Sequence, residues 1–313
     1  MGISAATFWV LIDVVEQRLP EIDRKRLERA ERKRQSGAGR ECDQPIAIRV
    51  AAVLTYLRLH VPQMAVGLMY GMTQTDISRD LRRILPAIQA ALPCPQVWKL
   101  LKSEDEVAGV TKLTLEDLDN GQVLVDATEQ RVSRPKDSEK RKQYYSGKKK
   151  QFTTKTQFVV DGEHHIKAIS ENVPGAEHDK TLSDEVRTLE HLPDGCELGA
   201  DKGYQGLAQQ VGEVTVIDVE TGELQNIARL TVQTPHKKPK GGELTEEQIV
   251  FNASLSAVRI RVEHCIGWAK NWAILANRFR CAHSIYTSVM RTICGFVNLQ
   301  TQCWQAAKIA NSA

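Results

Sequence analysis

The sequence predicts an α/β protein in two parts, an all-helical region followed by a larger region built on a mixed β-sheet. Up to about residue 92, apolar residues recur at the spacing of amphipathic helices and no strand-like run occurs. From residue 123 onward, short apolar and alternating runs come first, and helical segments then alternate with a further strand-like run. This order is typical of a mixed sheet covered by helices, so we expect an α/β fold preceded by a small all-α region.

The composition is that of an ordinary folded protein. With 42% hydrophobic and 26% charged residues, the 313-residue chain is neither disordered nor fibrous, and it is long enough for two domains. The net charge of +3 indicates little, but basic residues cluster in the segments 24–40, 131–155 and 236–240. Such clusters favour a polyanionic partner, because each cation placed on a phosphate releases counterions. For any one cluster, a solvated surface remains the alternative.

The sequence contains neither a metal-binding cysteine motif nor a candidate membrane segment. The seven cysteines are scattered without a CxxC pair, so we expect no zinc site and no disulfide framework. The apolar stretch 5–15 is interrupted by Asp13 and follows no basic residue, unlike a signal peptide or a membrane span. The prediction is a reduced, cytoplasmic protein without a membrane partner.

Within the helical region, residues 63–85 have the layout of a helix-turn-helix. A short helical pattern over 63–70 is followed by Gly71-Met72-Thr73 and a second helix, which Thr73 or Thr75 can cap. The apolar positions of this second helix share one face, and its polar side chains lie largely on the other. These are the candidate DNA contacts: Gln74, Ser78, Arg79, Arg82 and Arg83. An amphipathic core helix with a polar outer face is the alternative.

The domain boundaries follow from a change in composition after the helical region. Prolines at 93 and 95 and several acidic residues up to 119 indicate a linker or a domain edge. We therefore predict a helical DNA-binding domain over 1–95, a linker over 96–120 and a sheet domain over 121–310. Strands are expected at 123–125, 151–160 and 165–169, and helices at 178–192 and 244–280.

Three acidic residues in the sheet domain stand out by their context. Asp126 and Asp201 each follow an apolar strand-like run directly, and Glu263 lies in a helical stretch. Acids that follow central strands meet at the sheet edge where ligands bind. Carboxylate oxygens suit Mg²⁺, and a pair of such ions can activate one oxygen of a phosphodiester exchange and stabilise the other. For either aspartate alone, a turn or a helix cap remains the alternative.

The surroundings of Glu263 are more specific. Arg259, Glu263 and Lys270 lie at positions i, i+4 and i+11 and therefore share one face of a helix. A carboxylate flanked by two cations can hold a metal ion while the cations bind DNA phosphates. The alternative is a surface ladder of salt bridges, since Arg and Glu are common helix partners at this spacing.

Taken together, the motifs resemble those of bacterial insertion-sequence transposases of the DDE type, in the subgroup called DDE superfamily endonucleases. The resemblance extends from about residue 44 to about residue 299, with six strings in the family's order. They are Val125-Asp126-Ala127-Thr128-Glu129, Tyr144-Tyr145-Ser146-Gly147-Lys148-Lys149-Lys150, Pro174-Gly175-Ala176-Glu177-His178-Asp179-Lys180, Ala200-Asp201-Lys202-Gly203-Tyr204-Gln205-Gly206, Thr234-Pro235-His236-Lys237-Lys238-Pro239 and Arg261-Val262-Glu263-His264.

The resemblance implies a ribonuclease-H-like catalytic domain in which Asp126, Asp201 and Glu263 are the catalytic acids and metal ligands. The implied cofactor is Mg²⁺, with Mn²⁺ able to substitute, and the implied chemistry is DNA cleavage followed by strand transfer. Arg259, Glu263 and Lys270 match the R-(3)-E-(6)-K part of a related signature, and Ser256 stands where that signature has tyrosine.

The same resemblance assigns partners and secondary contacts. The helix-turn-helix would bind the terminal inverted repeats of double-stranded DNA, and the enzyme would act as a homo-oligomer associated with the nucleoid. The lysines of the second string, Lys148, Lys149 and Lys150, are expected along the DNA backbone. His178 and Asp179 are expected either to shape the site or to cap the following helix.

Two other functions compete with this one. A captured transposase acting as a sequence-specific regulator would keep the helix-turn-helix and lose a catalytic acid, whereas all three acids are present. A general ribonuclease-H-type nuclease would need neither the N-terminal DNA-binding domain nor the later family strings.

Overall fold

A computed structural model describes residues 3–28, 43–217 and 223–312. Most of the basic segment 24–40 lies outside these ranges. The helices are α1 (Ala5–Leu27), α2 (Ile46–Leu59), α3 (Gln63–Tyr70), α4 (Gln74–Ala90), α5 (Glu104–Ala108), α6 (Ser138–Tyr144), α7 (Asp179–Glu185), α8 (Glu246–Lys270), α9 (Ala273–Ala276) and α10 (Tyr286–Ser312). The strands are β1 (Gln96–Trp98), β2 (Gln122–Arg131), β3 (Tyr145–Ser146), β4 (Gln151–Asp161), β5 (Ile166–Ser170), β6 (Val173–Pro174), β7 (Glu197–Ala200), β8 (Glu213–Ile217), β9 (Leu224–Ala228) and β10 (Thr231–Gln233). The predicted α/β class with helices at the N-terminus is confirmed.

The contacts divide the chain into two compact units. The first unit comprises Met1–Pro95 and Trp268–Ala313, and the second unit comprises Gln96–Gly267. In the part of the chain that the structure describes, no helix is both long and apolar enough to span a bilayer.

The first unit is helical because its apolar residues recur on one face of each helix. In α4, Ile77, Leu81 and Ile84 are almost completely buried, and the side chain of Thr73 caps the helix by accepting a hydrogen bond from the N–H of Asp76. Both helices of the 63–85 segment and the turn between them lie where the sequence predicts them.

Two glycines allow the close approach of α3 and the turn. A Cβ on Gly67 would lie 2.5 Å from the carbonyl oxygen of Met72, so no larger residue fits at this position. Gly71 ends α3 with a φ of 63°, which favours glycine.

A buried ion pair joins α2 to α4. Nε of Arg49 donates to Oδ2 of Asp80 at 2.8 Å, and Nη2 forms a second bond to Oδ1 of the same carboxylate. Only 9% of the Arg49 side chain and 3% of the Asp80 side chain are exposed. Each charge therefore stabilises the other in a place where both are largely screened from water.

His60 makes the first unit sensitive to acid. Its ring nitrogens are buried without hydrogen-bond partners among the described residues. Burial, and after it the charge of Arg280, lowers the pKa of His60 to about 4. Because the unfolded chain binds this proton more readily, the stabilising contribution is complete above about pH 6.5 and is lost as the pH falls toward 4.

We expect wild-type protein to lose about 1–3 kcal/mol of unfolding free energy between neutral pH and pH 4.5 through this residue. His60→Asn should flatten that part of the profile, since Asn tolerates the left-handed φ of 49° at this position. Urea unfolding at several pH values measures the difference. An unchanged profile in the variant would assign the acid sensitivity to other groups.

The second unit is built on a mixed sheet with the strand order β1-β5-β4-β2-β7-β10. Strands β2, β4 and β5 are antiparallel neighbours, whereas β7 and β10 run parallel to β2. On one face, Val123, Val125 and Val159 pack against Leu182 of α7. On the other face, Leu255 of α8 lies next to the β7 backbone, where a Cβ on Gly199 would lie 3.5 Å from it.

The segment 96–120 differs from the predicted linker, because it packs into the second unit. Strand β1 pairs in parallel with β5, and the ring of Trp98 stacks on that of His191 with 4.3 Å between centroids. The backbone N–H of Leu113 donates to the carbonyl of His191 at 2.8 Å. The prolines at 93 and 95 mark the end of the N-terminal helices, but the apolar residues after them pack into the second unit.

The predicted extension of the sheet domain to residue 310 also differs from the contacts. Residues after 267 pack with the N-terminal helices, and Nε2 of Gln89 in α4 donates to the Ser288 carbonyl at 2.8 Å and to Thr292 Oγ1 at 3.0 Å. Apolar side chains along one side of α10 complete this helical core. Functional domains over 1–95 and 121–310 remain a proposal.

Candidate active site

The register of β2 and β7 brings two of the predicted acids side by side. The last parallel pair is Val125 with Ala200, so Asp126 and Asp201, the residues that follow this pair, lie next to each other. Asp201 follows the end of its strand, as expected. Asp126 does not: β2 continues to Arg131, because β4 remains paired with it along its whole length. The apolar run that precedes Asp126 is therefore only the fully buried half of a longer strand.

Asp201 begins a tight turn. Its carboxylate accepts a hydrogen bond from the backbone N–H of Gly203 and caps the 3-10 turn Lys202–Tyr204. Gly203 leaves little free space, since a Cβ there would lie 2.8 Å from Oδ2 of Asp179 and 2.8 Å from Oδ1 of Asp201. The two carboxylates therefore flank the same glycine.

Helix α8 adds a cation and the third predicted acid. Nη2 of Arg259 lies 3.8 Å from Oδ2 of Asp126 and 4.0 Å from Oε1 of Glu263. The Arg259 side chain is 12% exposed, whereas that of Glu263 is 57% exposed. One guanidinium thus links an acid on the central strand to an acid on α8. Arg259 and Glu263 share one face of the helix, as their i, i+4 spacing predicts.

The electrostatics of the site are dominated by negative charge. Burial raises the pKa of Asp126 to about 6, and the charges of Asp201 and Asp179 act in the same direction. The backbone N–H of Ala127, 2.8 Å from Oδ1 of Asp126, and the guanidinium of Arg259 oppose this rise. At neutral pH most of the Asp126 side chains remain ionised, so the site holds more anionic charge than Arg259 balances.

His178 and Asp179 differ in their roles. Asp179 lies in the site, whereas His178 stands at the start of α7 without capping it. His178 occupies the N-cap position of α7, but its side chain makes no capping hydrogen bond. Oδ1 of Asp179 lies 2.7 Å from Nζ of Lys155, which also donates to the carbonyl of Glu177. Lys155 is a buried cation on β4 that neutralises Asp179 beside the other carboxylates.

Two residues of the site were not among the sequence-based candidates. Lys155 falls between the alternating positions Thr154 and Thr156, where the alternation predicts an outward side chain, so the sequence gives no signal of its burial; β4 is buried on both faces. Tyr204 belongs to a motif string, yet a tyrosine there gives no hint that it is fully buried. Its hydroxyl has no hydrogen-bond partner among the described residues. Burial, and after it the nearby carboxylates, raises the pKa of Tyr204 well above its ordinary value.

The remaining predicted contact residues lie at several places on the surface. Lys148, Lys149 and Lys150 are exposed in the turn between β3 and β4. Lys270 is the last residue of α8 and belongs to the first unit, and Ser256 is exposed on α8. The polar face of α4 presents Gln74, Ser78, Arg79, Arg82 and Arg83, of which Ser78 and Arg83 are half-buried.

The arginines of α4 differ in their partners. Arg79 donates to Asp76 at 3.1 Å, and Arg83 donates to Asp23 of α1 at 2.6 Å. Within residues 3–28, 43–217 and 223–312, Arg82 makes no hydrogen bond or ion pair and is exposed. Arg82 is therefore the guanidinium of α4 that is most available to a ligand.

The carboxylates of the site have the chemistry of metal ligands. Their hard oxygen donors are those that Mg²⁺ prefers. Among the described residues, no three His, Cys, Asp or Glu side chains converge closely enough to enclose an ion. Burial is the main cause of the raised pKa of Asp126, and the charges of Asp201 and Asp179 add to it. A group of neighbouring carboxylates with hard oxygen donors fits an added divalent cation at Asp126, Asp201 and Glu263.

The comparison with protein families identifies the class to which this chain belongs. Residues 125–298, more than half of the chain, match the DDE superfamily endonuclease family, and the chain belongs to that family. It is also 28% identical over 305 residues to a probable transposase for insertion sequence element IS702 from Microchaete diplosiphon, covering 96% of this chain and 92% of that protein. No solved structure matches the chain significantly.

Gly203→Ala is expected to lower DNA cleavage by roughly 10–100-fold, because its Cβ displaces the carboxylates of Asp179 and Asp201 and small misplacements are costly in catalysis. Its φ is not in the left-handed region, so the fold should be kept. Gly212→Ala is the matched control, since a Cβ at Gly212 has no neighbour within 4 Å. Cleavage and DNA binding are measured together; equal cleavage by both variants would show that this glycine does not constrain the site.

Proposed function

We propose that the chain is a transposase that binds the inverted-repeat ends of its element and catalyses metal-dependent DNA cleavage and strand transfer. The observation that carries the proposal is the position of Asp126 within β2 beside Asp201 at the end of β7, with Arg259 linking Asp126 to Glu263. Membership in the DDE endonuclease family supports it, and so does the similarity to a probable transposase over nearly the whole chain.

The proposed fold of the second unit is ribonuclease-H-like. In its support, three antiparallel strands, β5, β4 and β2, are followed by two strands, β7 and β10, that run parallel to β2. The proposed acids then lie on the central strand β2, after its neighbour β7, and on the helix α8 that packs against the sheet.

DDE endonucleases generally use divalent metal ions, and we propose Mg²⁺, with Mn²⁺ as a substitute. Asp126, Asp201 and Glu263 would hold the ions, which when bound activate the attacking oxygen and stabilise the leaving one. The chain's own contribution is to keep these acids ionised. Arg259 favours the ionised form of Asp126, and the ion pair with Lys155 offsets part of the charge of Asp179, which acts against that ionisation.

In the proposed reaction, water attacks a phosphorus atom at the element end, and the bond to the 3′-oxygen breaks to leave a 3′-hydroxyl. The same hydroxyl then attacks a phosphorus atom of the target DNA and displaces a second 3′-oxygen. Lys148, Lys149 and Lys150 form an exposed cationic turn suited to the DNA backbone. Because two ends must be brought together, the active form is proposed to be a homo-oligomer.

The helix-turn-helix would read the repeat through the polar face of α4. Gln74 and Arg82 are exposed, and Thr73 caps the start of the helix. In helix-turn-helix proteins the N-terminal residues of the second helix contact base edges in the major groove.

The test is cleavage of a labelled duplex that carries the element's own end, with Mg²⁺, with Mn²⁺ and with EDTA. The proposal expects nicking at the end with either metal and none with EDTA, and joining of the cut end to added target DNA. Binding without cleavage under every condition would instead favour a captured regulator. Cleavage of all duplexes without preference would favour a general nuclease.

A further inference from the structure

The first unit contains a second cationic element far in sequence from the helix-turn-helix. It is the connecting segment between α9 and α10, residues 277–285, and it holds Arg278 and Arg280 but no acidic residue. The absence of acids extends further: residues 264–313 contain five Lys and Arg residues and no Asp or Glu. A stretch of this length without negative charge suits contact with a polyanion.

Alternation along the segment places its arginines outward. Phe279 is buried, with its ring 5.0 Å from that of Tyr286, and Cys281 is half-buried. Arg278, which precedes Phe279, and Arg280, which lies between Phe279 and Cys281, are exposed. The inward side chains therefore fix the backbone, while Arg278 and Arg280 remain exposed at the surface.

The segment is attached to α2, next to the helix-turn-helix. Sγ of Cys281 lies 3.1 Å from the hydroxyl of Tyr56, and Arg280 donates to the carbonyl of His60. The neighbouring Thr55 bonds to Tyr70, the last residue of α3, at 2.7 Å. Two adjacent residues of α2 thus hold both elements. Thr55 bonds to the residue that precedes the turn before α4, and Tyr56 bonds to the segment 277–285.

The other end of the segment is attached to α4 itself. Gln89 bonds to Ser288 and Thr292 in the first turns of α10, which follows the segment directly. Burial raises the pKa of the Cys281 thiol, and the nearby charges of Arg280 and Arg82 act against this rise. Arg82, the unpartnered arginine of α4, therefore lies in the neighbourhood of Cys281.

The outward arginines are also available. Among the described residues, Arg278 has neither a hydrogen-bond partner nor an ion pair, and Arg280 bonds to a backbone carbonyl and to no carboxylate. By contrast, Arg79 and Arg83 of α4 are each paired with an aspartate. Among the described residues of the first unit, the exposed guanidinium groups without a carboxylate partner include Arg82 of α4 and Arg278 and Arg280 of the segment 277–285, together with Arg18 of α1.

We propose that residues 277–285 form part of the DNA-contacting surface of the first unit, with Arg278 and Arg280 on backbone phosphates of double-stranded DNA next to the repeat read by α4. This inference rests on the proposed function of the helix-turn-helix. Phosphate contacts of this kind add affinity and orientation without reading sequence.

The test is fluorescence anisotropy with full-length protein, EDTA, and two labelled duplexes, the element's end and an unrelated sequence, over a series of salt concentrations. Arg278→Gln combined with Arg280→Gln should reduce the salt slope of log K by about 1.8, since each phosphate contact contributes about 0.9. At about 0.15 M salt this corresponds to roughly 30-fold weaker binding of both duplexes, with an unchanged preference for the end.

Two further variants keep the result interpretable. Arg278→Lys with Arg280→Lys should retain most of the slope, because the charge is preserved. Lys99→Gln with Lys112→Gln removes the same charge from exposed positions of the second unit and should leave the slope unchanged. An unchanged slope in the Gln variant, or equal loss in the Gln and Lys variants, would overturn the inference. If wild type shows no preference for the end, the proposed function fails instead.

Discussion

Asp126→Ala, Asp201→Ala and Glu263→Ala are each expected to reduce DNA cleavage by on the order of 10³-fold or more, because a lost metal ligand removes about 4 kcal/mol of transition-state stabilisation. Binding of the element's end should stay close to wild type, since it is assigned to the first unit. Cleavage of an end-labelled duplex and anisotropy on the same duplex measure the two effects separately.

Glu197→Ala is the matched control, because Glu197 is an exposed acid at the opposite end of β7 from Asp201. It should cleave as wild type does. If one of the three alanine variants cleaves at the rate of the control, the residue that it replaces does not belong to the metal site.

Asp126→Ala should also differ from the other two variants in stability. The pKa of Asp126 is raised to about 6, so in the absence of metal the folded state prefers the protonated acid. This residue's stabilising effect is fully present below about pH 4 and is lost as the pH rises through 6. Removing the carboxylate should therefore raise the melting temperature at pH 7.5 in EDTA, while activity falls. Such opposition between stability and activity is typical of functional sites.

Asp80→Ala is expected to destabilise the first unit by about 3–5 kcal/mol, because it leaves the buried guanidinium of Arg49 without its partner. Both hydrogen bonds of Arg49 to this carboxylate are lost, and only 9% of the Arg49 side chain is exposed. Urea unfolding of the full-length protein measures the change.

Two comparisons test the cause of that loss. Arg49→Met combined with Asp80→Leu removes both charges together and should recover most of the stability, since no unpaired charge remains buried. Arg79→Gln breaks an ion pair whose arginine is 55% exposed, and it should change stability by less than about 1 kcal/mol. If Asp80→Ala is no more destabilising than Arg79→Gln, the buried pair does not hold α2 to α4.

Local signals predicted the fold where they were strong. The periodicity of α4 and the glycine before it placed both helices, because burial on one face determines helical spacing. Asp126 and Asp201 could be foreseen as neighbours, since residues that follow parallel strands meet at one edge. The assignment of these acids as ligands still rests on the resemblance to a family, and it remains a prediction.

Long-range packing could not be predicted in the same way. Lys155 and Tyr204 belong to the site through contacts that join a strand, a helix and a turn, and no local pattern encodes such contacts. The sequence predicts a linker over 96–120 because prolines precede the segment and acidic residues lie in it. The attachment of the segment depends on the contact of Trp98 with His191, which lies far along the chain. Residues 268–310 are predicted from their position in the sequence to belong to the sheet domain, whereas their contacts are with the N-terminal helices.

The return of the chain to its first helices has a consequence for synthesis on the ribosome. The carboxylates of the second unit are all translated before residue 268, but α10, which packs against α4, is made later. A nascent chain therefore contains every proposed catalytic acid before its first unit has a complete core. A product that terminates early would carry these acids without a complete helical unit. If the first unit binds DNA as proposed, that binding waits for translation to pass the region of the acids.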